Sequence, residues 1–214
     1  MLSKNIVPVV FMAGTGGHFL SSFLKRAKLN TKHKQYCLSY YGNCHKHGVD
    51  LCGVNELFVD FENNITILRN NIKLEDNIVY YPPFHTTKIQ QLLQVFERCI
   101  KITYNYERDS HEIAKIFCIK WGIEEGNLKR YNLSMTDQIN GIIGECFNKR
   151  EYFLFDKTYQ DKILAISWHE LFHSVNTDKL VQKCSDFTNI PKDNFDTNFL
   201  KEWRLATRRC LDFH

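Results

Sequence analysis

Gly14, Thr15, Gly16, Gly17 and His18 are the residues whose types and spacing most directly suit chemistry. Glycines let a backbone approach an anion closely. A helix starting just after them points its first N–H groups at that anion, with the positive end of the helix dipole behind. The neighbours supply this context. Ile6, Val7, Val9, Val10 and Phe11 form an apolar run before the glycines, and Phe19, Leu20, Phe23, Leu24 and Ala27 follow at helical spacing. The order is buried strand, glycine loop, helix; its plainer reading is a turn that only joins the two elements. Two familiar phosphate devices are excluded. A Walker A loop ends in Gly-Lys-Ser/Thr, and here Gly17 is followed by His18 and Phe19. A dinucleotide fingerprint needs Gly-x-Gly-x-x-Gly, and here the third position is Phe19.

Other groups also suggest chemistry. Cys37, Cys44, His45, His47 and Cys52 combine zinc-ligand types, but no Cys-x-x-Cys pair is present, so a polar loop with buried thiols is the expected reading. Pro82-Pro83 end the apolar run Ile78 to Tyr81 and place Phe84, His85 and Thr86 just past it. In open α/β sheets that edge is where ligands bind. Arg204, Arg208 and Arg209 cluster near the end of the chain and read as a solvated face before a phosphate clamp.

Positioning these groups requires a folded core, and 214 residues with 43% hydrophobic and 24% charged content can build one. A net charge of +4 is too mild to imply nucleic acid, though it suits a polyanionic ligand. No apolar run approaches a membrane span, and Met1 to Lys4 with the short run after it does not make a signal peptide. A cytoplasmic protein with eight reduced cysteines is therefore expected.

The elements follow from pattern. Gln35 to Tyr41, Glu56 to Glu62 and Ile65 to Leu68 read as short strands, and Cys99 to Tyr104 and Ile163 to Ser167 as clearer ones. Ile89, Leu92, Leu93 and Phe96 mark a helix capped by Thr86 or Thr87. Asp109-x-x-Glu112 reads as a capping box before Ile113, Ile116 and Phe117. Gly122 to Asn132 reads as a turn-rich connection. Met135 to Phe147, Thr177 to Phe187 and Phe199 to Leu211 read as further helices. Strands alternating with helices predict an α/β fold with a mainly parallel sheet flanked by helices, in one domain with a variable insertion over roughly residues 30–76.

The order of these features resembles the sulfotransferase superfamily of P-loop folds. Ala13-Gly14-Thr15 with Phe19-Leu20 is similar to its phosphosulfate loop, Lys/Arg-x-Gly-Thr-x-x-Leu, with Met12 where the family has the cation. Cys99 to Tyr104 followed by Asn105-Tyr106-Glu107-Arg108-Asp109 is similar in outline to its central strand ending in Arg-Asn-Pro-x-Asp. Ile166-Ser167-Trp168-His169-Glu170-Leu171 is similar to its late strand ending in Tyr-Glu-Asp-Leu, and Asp186-Phe187-Thr188-Asn189-Ile190-Pro191 to the turn beyond it. The C-terminal glycine-rich loop of many members is absent, and Lys201-Glu202-Trp203-Arg204 echoes only its Trp and a basic residue.

The resemblance implies a three-layer P-loop-type fold and transfer of a sulfuryl group from 3′-phosphoadenosine 5′-phosphosulfate (PAPS) to the hydroxyl of a small-molecule or glycan acceptor. It implies a cofactor site of Gly14, Thr15, Gly16, Gly17, His18 and Phe19, helped by the hydroxyls of Ser21 and Ser22, with Arg108 and Ser110 nearest the positions that hold the 3′-phosphate. His18 would donate to the leaving oxygen, and His85 would be the base for the acceptor proton, a role suited to a group titrating near neutrality. His169 stands at a structural position of the family. On this reading Gly16→Asp abolishes nucleotide binding and leaves the fold intact. The alternatives are a P-loop fold that lost its chemistry and binds a nucleotide or partner, and a small-molecule kinase, which the missing Gly-Lys-Ser/Thr disfavours.

Overall fold

The computed structural model describes residues 6–30, 38–42, 83–84, 89–124, 134–153, 159 and 161–213. In chain order these form strand β1 (Val9–Val10), helix α1 (Gly17–Leu29), β2 (Pro83–Phe84), α2 (Ile89–Val95), β3 (Cys99–Thr103) and α3 (Tyr106–Phe117). A π-helical segment (Cys118–Glu124) continues α3, and α4 (Met135–Phe153), β4 (Ile163–Ser167) and the short α5 (Trp168–Phe172) follow. The chain closes with α6 (Thr177–Thr188), a 3-10 turn (Lys192–Asn194) and α7 (Thr197–Leu211). The expected strands at 56–62 and 65–68, the apolar run 78–81, the threonine cap at 86–87 and the cysteines and histidines of the Cys37–Cys52 cluster lie outside the described residues. Pro83 and Phe84 are themselves paired with β1, so Phe84 stands in the sheet and not past the end of a strand stopped by the prolines.

The four strands make one sheet in the order β2-β1-β3-β4, every pair parallel. Val10 stands opposite Phe84 on one side and Lys101 on the other, while Ile102 faces Ile166. Parallel sheets are covered on both faces by their crossover helices, and all five residues of β3 are buried. The architecture is thus mixed helix and parallel strand, as the alternation of patterns predicts. Only Val9 and Val10 of the first apolar run are ladder-paired as a strand, although Ile6, Val7 and Phe11 are as deeply buried. The run reports burial; pairing is decided by the neighbouring strands.

Helix starts differ from expectation in instructive ways. α3 begins at Tyr106, three residues before the expected capping box. Asn105 accepts the Arg108 N–H at 3.1 Å, and the Asp109 carboxylate reaches back to the Asn105 N–H at 2.8 Å. Asp109 thus takes the reciprocal role that a capping box gives its acidic residue. α4 runs on to Phe153, α5 is not marked by the sequence pattern, and the π-helix of residues 118–124 takes in the first three residues of the turn-rich connection expected from Gly122 to Asn132. Residues 38–42 form a turn closed by Gly42 N–H donating to Ser39 O at 2.9 Å, not the end of a strand.

The core is aromatic where α1 meets α7. Phe19 stacks on Trp203 with ring centroids 4.2 Å apart and touches Phe199, while Phe23 meets Phe195. Such pairs add about 0.5–1.5 kcal/mol each beyond the area they bury. Arg26 seals the edge of this contact, bonding Asp196 at 2.8 Å with its guanidinium over the Phe199 ring. Past the end of β3, the Tyr104 phenol donates to Cys146 O of α4 at 2.8 Å and its ring stacks on Phe153. None of the described cysteines, Cys99, Cys118, Cys146, Cys184 and Cys210, is in a disulfide, and all are buried. Burial pushes the Cys99 and Cys184 thiols up to about 12, which keeps them protonated. No helix among the described residues is long and apolar enough to cross a membrane.

Candidate functional site

From β1 the chain proceeds to β2 on one side and then to β3 on the other, so the winding direction reverses at β1. Connections that leave in opposite directions open a crevice outside the carboxyl ends of the two strands. The glycine loop after β1 and the Asn105–Ser110 segment after β3 both lie at that edge of the sheet.

The loop is built by a turn. Thr15 N–H donates to Met12 O at 3.1 Å, and the Thr15 hydroxyl donates to the same carbonyl at 2.6 Å. Gly14, at the third position of this turn, has φ +85°, the left-handed conformation a type II turn needs there. α1 follows from Gly16, whose φ of +83° turns the chain into the helix. No side chain caps α1 and no acidic residue lies in its first turn. The first helical bond runs from Leu20 N–H to Gly16 O at 2.9 Å, so the amides of Gly16 and Gly17 have no acceptor within the helix.

The glycines are also packed against protein. A Cβ on Gly16 would lie 2.7 Å from Trp203 of α7, and one on Gly17 would lie 1.9 Å from Cγ of Phe11. A Cβ on Gly14 would lie 2.7 Å from the Ile113 carbonyl oxygen of α3. Two helices and a ring therefore press on the loop, and each glycine is needed for contact as well as conformation. This corrects the expectation for Gly16→Asp: the side chain would clash with Trp203 in a backbone region unfavourable to it, so fold and binding would suffer together.

The other expected residues divide clearly. His18 is half-buried at the start of α1, with its ring edge-on to Phe11 at 5.0 Å. Phe19, Ser21 and Ser22 are buried, so the two hydroxyls expected to help hold the ligand are closed to solvent. Arg108 has 54% of its side chain exposed and chelates the buried Asp109 through Nε and Nη2, at 2.5 and 3.0 Å. That bond pushes the guanidinium pKa further up, keeping its charge fixed. Arg108 precedes Ile113, the residue against Gly14, by roughly 7.5 Å along the helix axis. Ser110 is buried one residue beyond Asp109. His85 lies outside the described residues.

Arg204 is not on a solvated face. It is buried and donates to Leu171 O at 2.8 Å, Glu170 O at 3.1 Å and Thr177 Oγ1 at 3.2 Å, holding the carbonyl end of α5. Burial, with Arg208 nearby, lowers its pKa. Sequence reasoning also missed a pair: Glu112 Oε2 and His173 Nε2 are 2.8 Å apart, joining α3 to the end of α5. The sequence pattern reads Glu112 as part of a cap, and a helix as short as α5 shows too little periodicity to draw attention to His173.

Comparison with protein-family models, curated proteins and solved structures found no match to this chain.

Proposed function

We propose that this chain is a sulfotransferase-like enzyme that binds PAPS at the glycine loop and transfers its sulfuryl group to a hydroxyl of a small-molecule or glycan acceptor. One observation carries the reading. α1 starts without a side-chain cap, after a glycine turn, at the point where the parallel sheet reverses its winding. The amides of Gly16 and Gly17 would take the 5′-phosphate, His18 would donate to the oxygen that leaves sulfur, and Arg108 would meet the 3′-phosphate. Transfer of this kind demands position and charge neutralisation more than covalent chemistry, which such a set can supply.

Calorimetric titration with 3′-phosphoadenosine 5′-phosphate (PAP), beside ADP and ATP, tests the reading. Micromolar binding of PAP with clear preference over ADP is expected, and equal or absent binding would overturn it. A second reading has its own observation: the loop glycines are faced by Trp203, Phe11 and Ile113. A scaffold that kept the loop for packing and lost the chemistry would show this too, and would bind none of the three nucleotides.

A further inference from the structure

We propose that His169 and His173 form a two-histidine chelate for a divalent transition-metal ion of the zinc type, with Glu112 as the carboxylate that orients His173. The inference goes beyond the sulfuryl-transfer reading and does not depend on it.

The backbone sets the spacing. His169 O accepts from His173 N–H at 2.8 Å and from Ser174 N–H at 3.1 Å, so the two histidines stand one full turn apart at the end of α5. Side chains four residues apart on a helix lie one above the other. The two rings do so here, with centroids 5.1 Å apart and planes tilted by 31°. A metal about 2.1 Å from one nitrogen of each ring, at the tetrahedral angle, sets the ring centres about 5 Å apart. Imidazole suits zinc, nickel and copper, whereas calcium and magnesium take oxygen ligands.

Glu112 is the second argument. An ionised carboxylate only accepts hydrogen bonds, so His173 Nε2 carries the proton shared with Glu112 Oε2 at 2.8 Å. Nδ1 of the neutral ring keeps its lone pair, and a carboxylate on the other nitrogen is the support that metal-bound histidines usually have. Trp168 and Phe172 meet the His173 ring edge-on, with centroids 5.1 and 4.7 Å away. Arg204 holds the Glu170 and Leu171 carbonyls of the same turn, so the pair stands on a fixed element. His169 is exposed and the His173 side chain is 28% exposed, which leaves the pair open to an ion from solvent. Among the described residues no group of three or more His, Cys, Asp or Glu could hold a metal. The chelate therefore has two protein ligands, and water completes the shell of an open site of micromolar strength.

The test titrates the full chain with zinc chloride in chelator-free buffer, followed by calorimetry, beside His169→Gln, His173→Gln and Glu112→Gln. Histidines and cysteines elsewhere in the chain can also take zinc, so the difference between chains is the quantity read. Each histidine substitution is expected to remove the same single micromolar site, and Glu112→Gln to weaken it about tenfold. His169 is exposed, so its substitution keeps the fold and isolates the loss of a ligand. A second readout is local: zinc should slow acylation of both His169 and His173 by diethyl pyrocarbonate, followed by peptide mass spectrometry. In His169→Gln that protection of His173 should disappear. Equal zinc binding by the unaltered chain and both histidine variants, or no protection at these two residues, would overturn the chelate. Undiminished affinity in Glu112→Gln would overturn the part given to the carboxylate.

Discussion

The helices that leave β1 and β3 start at the same edge of the same parallel sheet, yet they end their exposed donors in opposite ways. α3 satisfies its own start: Asn105 accepts from Arg108 N–H, and Asp109 accepts from Asn105 N–H. α1 has no such side chain and begins from a left-handed glycine. α5, α6 and α7 follow the pattern of α3, capped by Ser167, Asn176 and Asp196. A side-chain cap takes up one of a terminus's free donors, whereas no side chain does so at the start of α1. The surroundings differ as well. Asn105, Glu107 and Arg108 are exposed, while the loop before α1 is held by Phe11, Ile113 and Trp203. The held loop and the uncapped helix start are the features on which the proposed anion site rests.

Four substitutions would break or sharpen this contrast. The largest effect is expected from Trp203→Ala, which removes the wall behind Gly16 and the stack on Phe19. Urea denaturation should show a loss of about 3–5 kcal/mol. Gly17→Ala is next, because its Cβ would come within 1.9 Å of Cγ of the Phe11 ring. Overpacking of this kind costs about 1–3 kcal/mol, and a neutral result would mean that Phe11 can move away. At the other helix, Asn105→Ala should cost about 1 kcal/mol and leave PAP affinity unchanged, since that cap serves only the fold. If PAP affinity fell instead, the two termini would not be doing different jobs.

Arg108→Ala should be the smallest perturbation of stability, under about 1 kcal/mol for so exposed a cation. Calorimetry should nonetheless find PAP binding weakened about tenfold, with ADP binding unaltered. An equal loss for both nucleotides would remove Arg108 from the 3′-phosphate.

Much of this was legible in sequence because it depends on neighbours along the chain. Alternating or continuous apolar runs located β1, β3 and β4, helical spacing located α1, α6 and α7, and the glycines marked the loop between β1 and α1. What a pattern reports is which residues are buried. It does not report what they are buried against, nor which polar group a side chain will choose. Asp109 and Glu112 show this: the sequence offered them as one cap, yet Asp109 turns back to Asn105 while Glu112 joins His173, 61 residues away.

The sequence by itself therefore determined the strand–glycine loop–helix start, the mixed helix and strand class, and the positions of most described helices. Tertiary structure alone decided that Trp203 and Phe11 face the loop glycines, that Arg204 is spent on the carbonyls of α5, and that Glu112 meets His173. The reason is physical. Periodicity and propensity act over a few residues, whereas a contact between remote segments exists only after the sheet has set which helices lie side by side.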